Sequence, residues 1–445
     1  MRGKGIMITT AKSRTVTGVL AASAAATGLL AGVALGSAPA ANASCASFFG
    51  LGNSADCSST LLSVAVAFGD GATAHSTALF GASFAVGTNA SASTTDALTL
   101  ATAAGDESDA KAGGLFGIAT QIGAAGGSTT VNPGGVFNAA TNIGGDSNTV
   151  ATGDATTGTV LNLATNLFGN GNTVTGQGGI ANWATNFGGN TNTVTTEGSL
   201  SNTATNILGS NNEVTTAGGY LNWARNIFGD HNKVTITGGY YNSARNLIGS
   251  YNTVTTTGGY GNSVRNLVGN HNEISTTAGI SALATNLLGN DNHANVTGGY
   301  YNTARNWVGN GNILTIGGGG SNLDFGVNLL GNENTLASGP GDLNLGFTAF
   351  GGQNQVKAGP GPLALAGSIF RDGQTVTKTN PGIAINSFRV GGAQTTGGQS
   401  NKAPAAQAED GGSKTNTAAT AKAGDSGKKT TKPSGTSGSK RSTKN

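Results

Sequence analysis

Between residues 161 and 316, polar and apolar positions return every twenty residues without drift. In the copy at 182–196, every second residue is Asn182, Ala184, Asn186, Gly188, Asn190, Asn192, Val194 and Thr196. These positions stay nearly constant from copy to copy, except that 188 is usually large and apolar, as in Leu208, Phe228 and Ile248. The intervening positions 183, 185, 191, 193 and 197 vary freely. A period of two is that of a β-strand, and it predicts the constant face inward and the variable face outward. Helix is a poor fit, because every copy holds several Gly and many Thr and Asn.

One Asn column runs Asn166, Asn186, Asn206, Asn226, Asn246, Asn266, Asn286, Asn306, and a second runs from Asn172 to Asn312 at the same interval. A Gly column runs from Gly169 to Gly309. A short fixed period with Gly at constant offsets is the sequence form of a solenoid. Inward Asn must be hydrogen-bonded. Coils stacked about 4.8 Å apart let equivalent amides bond one another along the axis. The constant Gly is expected at a corner with positive φ.

The predicted fold is an all-β, single-stranded β-solenoid. Upstream of the regular block, Gly69, Gly87, Gly105 and Gly123 are spaced by eighteen. The third residues after them are Ala72, Ala90, Ser108 and Gly126, and the fifth are Ala74, Ala92, Ala110 and Ser128. In later copies these two offsets hold Asn172 and Val174, so the reading is one continuous solenoid. Its N-terminal coils are shorter and its inward residues smaller, and eighteen residues suit three sides of six. Counting corner Gly from Gly69 to Gly351 gives about 15 coils, or about 70 Å of stack at ~4.8 Å each. The expected organisation is a signal peptide at 1–43, an N-terminal cap at 44–62, eighteen-residue coils at 63–136 and twenty-residue coils at 137–359. A C-terminal cap follows at 360–394, with strands at 363–370 and 383–390, and then a disordered tail at 395–445.

Composition agrees with thin coils: of 445 residues, 76 are Gly and 10% are charged. A globular chain this long would carry more large apolar residues. Arg2, Lys4, Lys12 and Arg14 precede an Ala/Gly/Leu-rich run at 16–35, and Ala41-Asn42-Ala43 is a cleavage-site pattern. A retained membrane anchor is the other reading of this segment. Cys45 and Cys57 are the two cysteines. In an exported chain an even pair reads as a disulfide, and two free thiols are the alternative. The net charge of +3 hides an asymmetry. The leader carries +4, the tail from 395 carries +6, and residues 44–394 therefore carry −7. The basic tail is expected to meet an anionic cell-wall polymer or a lipid surface. No nucleic-acid partner, cofactor or metal is expected.

No catalytic constellation is visible. His231 and His271 share one corner position two coils apart, about 10 Å. Corner residues 229–232 faintly resemble calcium-binding β-rolls, but those need repeated Asp where this chain offers Asn. Two outward columns stand out. Arg225, Arg245, Arg265 and Arg305 share one offset, interrupted by Thr285. Tyr220, Tyr240, Tyr260 and Tyr300 share another, with Trp223, Tyr241, Tyr301 and Trp307 nearby. Like charges about 4.8 Å apart repel unless anions or stacking offset them. Aromatic rings beside Arg suit sugars, anionic groups or a partner surface. The plain alternative is that duplication copied these residues and that the Tyr column only stabilises the sheet.

Residues 64–74 (VAVAFGDGATA) and 84–92 (FAVGTNASA) resemble head repeats of trimeric autotransporter adhesins, which are shorter. The Ala-rich leader and Gly/Asn-rich repeats are similar to exported repeat proteins of mycobacteria and related actinobacteria, including the Asn-Gly repeat tails of PPE proteins. The resemblance implies a secreted or cell-envelope location and transfers no active-site residue. The expected function is a non-enzymatic structural or adhesive element at the cell surface. The alternatives are a carbohydrate-active β-helix enzyme, or a glycan- or protein-binding module using the Arg/Tyr face.

Overall fold

The computed structural model describes residues 44–391, except 124 and 155–157. The expected signal peptide and the basic tail from 395 lie outside the described residues. Within them the chain is an all-β parallel solenoid of about 16 turns. One turn shows the plan. Strand Trp223–Phe228 belongs to a first sheet, residues 229–232 turn a corner, and strand Lys233–Thr237 belongs to a second sheet. Residues 238–242 lead back to the next first-sheet strand, Ser243–Ile248. Each strand lies parallel on its copy one turn away, with Ala224 opposite Ala244, Asn226 opposite Asn246, and Val234 opposite Val254. The eighteen-residue coils would suit three sides of six, but the sides are not alike. Two sides are strands, and the third shrinks to single bridges such as Tyr220 to Tyr240 and Tyr240 to Tyr260. Paired Gly residues there, such as Gly238 and Gly239 at φ 67° and 78°, bend the chain too tightly for a third strand.

The interior follows the period-two pattern. Ala184, Ala204, Ala224 and Ala244 are buried from the first sheet, and Val194, Val214, Val234 and Val254 from the second. The slice between the sheets is thin, so small and β-branched residues fill it. Two inward assignments fail. Leu208, Phe228 and Ile248 are 40%, 45% and 46% exposed; only Gly188 is buried in that column. At this position, just before the corner, the side chain swings out, so the inward alternation ends at the preceding Asn. Asn190 is also exposed. Its side chain staples the outside of the corner, where Oδ1 accepts the Asn170 backbone N–H at 2.8 Å.

The corner glycines meet two demands at once. Gly269 has φ +138°, and a Cβ there would stand 1.8 Å from the carbonyl oxygen of Gly289 in the next coil. At the C-terminal end the place below Gly351 is taken by Arg371. Arg371 is exposed, and counting glycines misses this turn. The boundary expected at 359 fails for the same reason. Ala364–Ile369 and Thr375–Lys378 still stack in parallel on Leu345–Ala349 and Gln355–Ala358. The edge is closed later, where Phe388–Val390 folds back antiparallel on Gly382–Ile385. Lys378 plugs this end: it is fully buried, and its Nζ donates to the Gly391 carbonyl at 2.8 Å.

At the other end, Ser44–Phe48 runs antiparallel to Val64–Phe68 and covers the open edge of the first sheet. The Cys45–Cys57 disulfide ties this strand to the first strand of the second sheet, Cys57–Ser59. A disulfide is consistent with an extracytoplasmic location.

One interior column is imperfectly paired. Thr196, Thr216, Thr256 and Thr276 are buried, and their hydroxyls find no hydrogen-bond partner. Elsewhere the same column holds Ile236, Val296 and Ile316. Replacing Thr256 by Val removes a desolvated hydroxyl at little change in shape. It should stabilise the fold by about 1 kcal/mol. A lower denaturation midpoint for the variant would contradict this account of the column.

Candidate functional site

The two sheets handle outward charge differently. On the second sheet, outward polar groups at equivalent positions pair along the axis: Lys233 Nζ lies 2.9 Å from Glu213, and His293 Nδ1 lies at hydrogen-bond distance, 3.1 Å, from Glu273. On the first sheet, Arg225, Arg245 and Arg265 occupy consecutive rungs, and Arg305 follows after Thr285. Among the described residues none of these four has a carboxylate within ion-pair distance. The Nε groups of Arg245 and Arg265 donate instead to Ser243 and Ser263 Oγ, both at 3.1 Å. Partial burial, then Arg265 and Arg225, push the Arg245 pKa below its ordinary value. The strands thus hold a row of cations that repel one another and lack counter-charge.

The Tyr column runs along the single-bridge side, next to this face. Tyr220 and Tyr240 stack at 4.9 Å with planes 2° apart. Tyr240, Tyr260 and Tyr300 are about half exposed. The Tyr and Arg columns lie in the same coils, but the concave part of the surface gathers only some of the expected residues. A trough of about 660 Å³ is lined by Trp183, Thr203, Trp223, Arg225 and Arg245, among others. The Tyr column does not line it. Trp183 escaped notice in sequence because aromatics at that offset are not consecutive: Trp183, Thr203 and Trp223 alternate. The alternation was the available signal.

Two of the histidines are held in an aromatic stack. His231 and His271 sandwich Tyr251, with ring centroids 4.6 and 5.1 Å away. Among the described residues no cluster of three His, Cys, Asp or Glu side chains is placed to hold a metal.

One buried carboxylate stands apart. Asp324 takes a place held by Asn302 one coil earlier and Asn344 one coil later. Its Oδ1 accepts the Asn344 backbone N–H at 2.9 Å. Its Oδ2 stands where Asn302 has the Nδ2 that donates to the carbonyls of Gly298 and Ser321, with the Ser321 hydroxyl and the Asn344 side chain as its neighbouring donors. Burial pushes its pKa up, against opposing hydrogen bonds from the Asn344 backbone and from the Ser321 and Asn344 side chains.

The fold and this face define a parallel β-solenoid with one unneutralised cationic, aromatic-flanked side. No family model, curated protein or solved structure matches the chain.

Proposed function

We propose that the chain is an exported, non-enzymatic repeat protein that acts as an adhesive element at the cell envelope, with its first sheet as the binding face. The observation carrying this reading is the stacked row of Arg225, Arg245, Arg265 and Arg305, which lacks carboxylate partners among the described residues. Folding gains nothing from setting like charges on adjacent rungs. An anionic partner would offset their repulsion. The exposed rings of Tyr240, Tyr260, Tyr300 and Trp223 add apolar contact area beside the charges. The Cys45–Cys57 disulfide and the signal-like leader support export. The basic tail from 395 serves as a second contact with anionic wall or lipid.

The test is retention on isolated envelope fractions. Replacing Arg245 and Arg265 by Ala should weaken retention at least tenfold and leave the melting temperature unchanged or raised. Retention by the parent chain should fall with added salt. Equal retention of variant and parent would remove the basis for assigning the face this role.

A further inference from the structure

The trough on the first sheet is lined by two tryptophans on alternate rungs with a short residue on the rung between them. Trp183, Thr203 and Trp223 are in register on three successive rungs. The two indoles are 52% and 53% exposed, and the short Thr203 between them forms the floor. Two rungs of about 4.8 Å place the indole-bearing positions about 9.6 Å apart. Carbon contacts of about 3.5–4.0 Å on each side occupy about 7–8 Å of that gap. The gap therefore admits one ring between the two positions. Hydroxyls of Thr185, Ser201, Thr203 and Thr205 line the same trough, and Arg225 and Arg245 border it. The guanidiniums have no carboxylate partner among the described residues.

We infer that the Trp183–Thr203–Trp223 slot binds a sugar ring of an acidic polysaccharide, its carboxylate or sulfate held by Arg225 and Arg245. The inference rests on the first sheet being a binding face, and it names the ligand class. The apolar faces of a pyranose meet the indoles, its hydroxyls meet the Ser and Thr side chains, and its anionic substituent meets the charges that the fold leaves uncompensated. Guanidinium pairs with carboxylate or sulfate through two parallel N–H donors, which fixes orientation as well as charge.

The experiment uses the full chain with three probes: oligogalacturonate, a neutral dextran oligosaccharide, and vesicles containing phosphatidylglycerol. Binding is read by tryptophan fluorescence and calorimetry. Oligogalacturonate should bind and perturb the indole fluorescence, with dextran at least tenfold weaker. Trp183→Ala should weaken oligogalacturonate at least tenfold. Thr203→Trp removes no lining ring but fills the rung between the two indoles, and it should weaken binding as much with an unchanged melting temperature. Oligogalacturonate binding that survives Thr203→Trp but is lost with Arg245→Ala would overturn the slot and leave the binding face standing. Binding of vesicles alone would do the same. Failure of every anionic probe would overturn both.

Discussion

Asn246→Ala should destabilise the solenoid by about 3–4 kcal/mol, more than any single change on its outer surface. Asn246 Nδ2 donates to Asn226 Oδ1, and Asn266 Nδ2 donates to Asn246 Oδ1, both at 2.8 Å and fully buried. Truncation strands an acceptor on one side and weakens a donor on the other. Each buried group left unpaired costs about 1–3 kcal/mol. Asn266 keeps a long contact to the Gly269 carbonyl at 3.3 Å, which limits the loss on that side. The void left by the amide adds to the cost. Urea denaturation followed by circular dichroism measures it, against the exposed control Thr257→Ala, expected within about 0.5 kcal/mol of the parent. The double variant of Asn246 and Asn266 should cost less than the two single losses together, because both remove the same shared bond. A single-variant loss under about 0.5 kcal/mol would mean that the column is not a connected ladder.

Asp324→Asn should act in the opposite direction and only at the higher pH. The folded pKa of Asp324 is raised, chiefly by burial. Below the ordinary carboxylate range both folded and unfolded chains are protonated there, and the acid hydroxyl can donate as an amide would. As pH rises above that range, the unfolded chain ionises first, so stability falls until the folded pKa is passed and then levels. Asn cannot ionise, and its Nδ2 supplies the donor that the column has at Asn302. The variant should match the parent near pH 3 and exceed it by about 1–3 kcal/mol near pH 7. Denaturation at the two values settles the matter; a difference independent of pH would show that the Asp324 carboxyl is not the source.

The repeat made the fold legible because stacking turns a sequence offset into a spatial column. Asn142 and Asn166 show how robust this is: despite an extra four residues between them, they remain paired, with Nδ2 donating to Oδ1 at 2.6 Å. What periodicity cannot show is how a residue uses its neighbours. The second Asn column was expected to bond amide to amide. In the structure it does so toward its C-terminal end, where Asn292 Nδ2 donates to Asn272 Oδ1 at 3.2 Å and Asn312 Nδ2 to Asn292 Oδ1 at 3.1 Å, whereas Asn192 accepts the Asn212 backbone N–H on Oδ1 and sends Nδ2 to the Gly209 carbonyl. Leu208 and Phe228 looked inward because alternation was extended up to a corner where the backbone no longer obeys it. The candidate face was half legible. Its Arg column is consecutive and easy to see, whereas Trp183 pairs with Trp223 across an intervening Thr and becomes meaningful only as a gap.

The central amide column has a direction. From Asn166 to Asn328, every Nδ2 reaches back to the oxygen of the preceding coil. Synthesis from the N-terminus, and export led by it, deliver coils in that same order. Each newcomer therefore brings its own donor to a waiting oxygen, and need not anticipate a partner that has yet to be made. Growth from the disulfide-tied end leaves only one oxygen of this column uncommitted at a time, so lengthening it by whole coils adds no new problem there for the chain to solve.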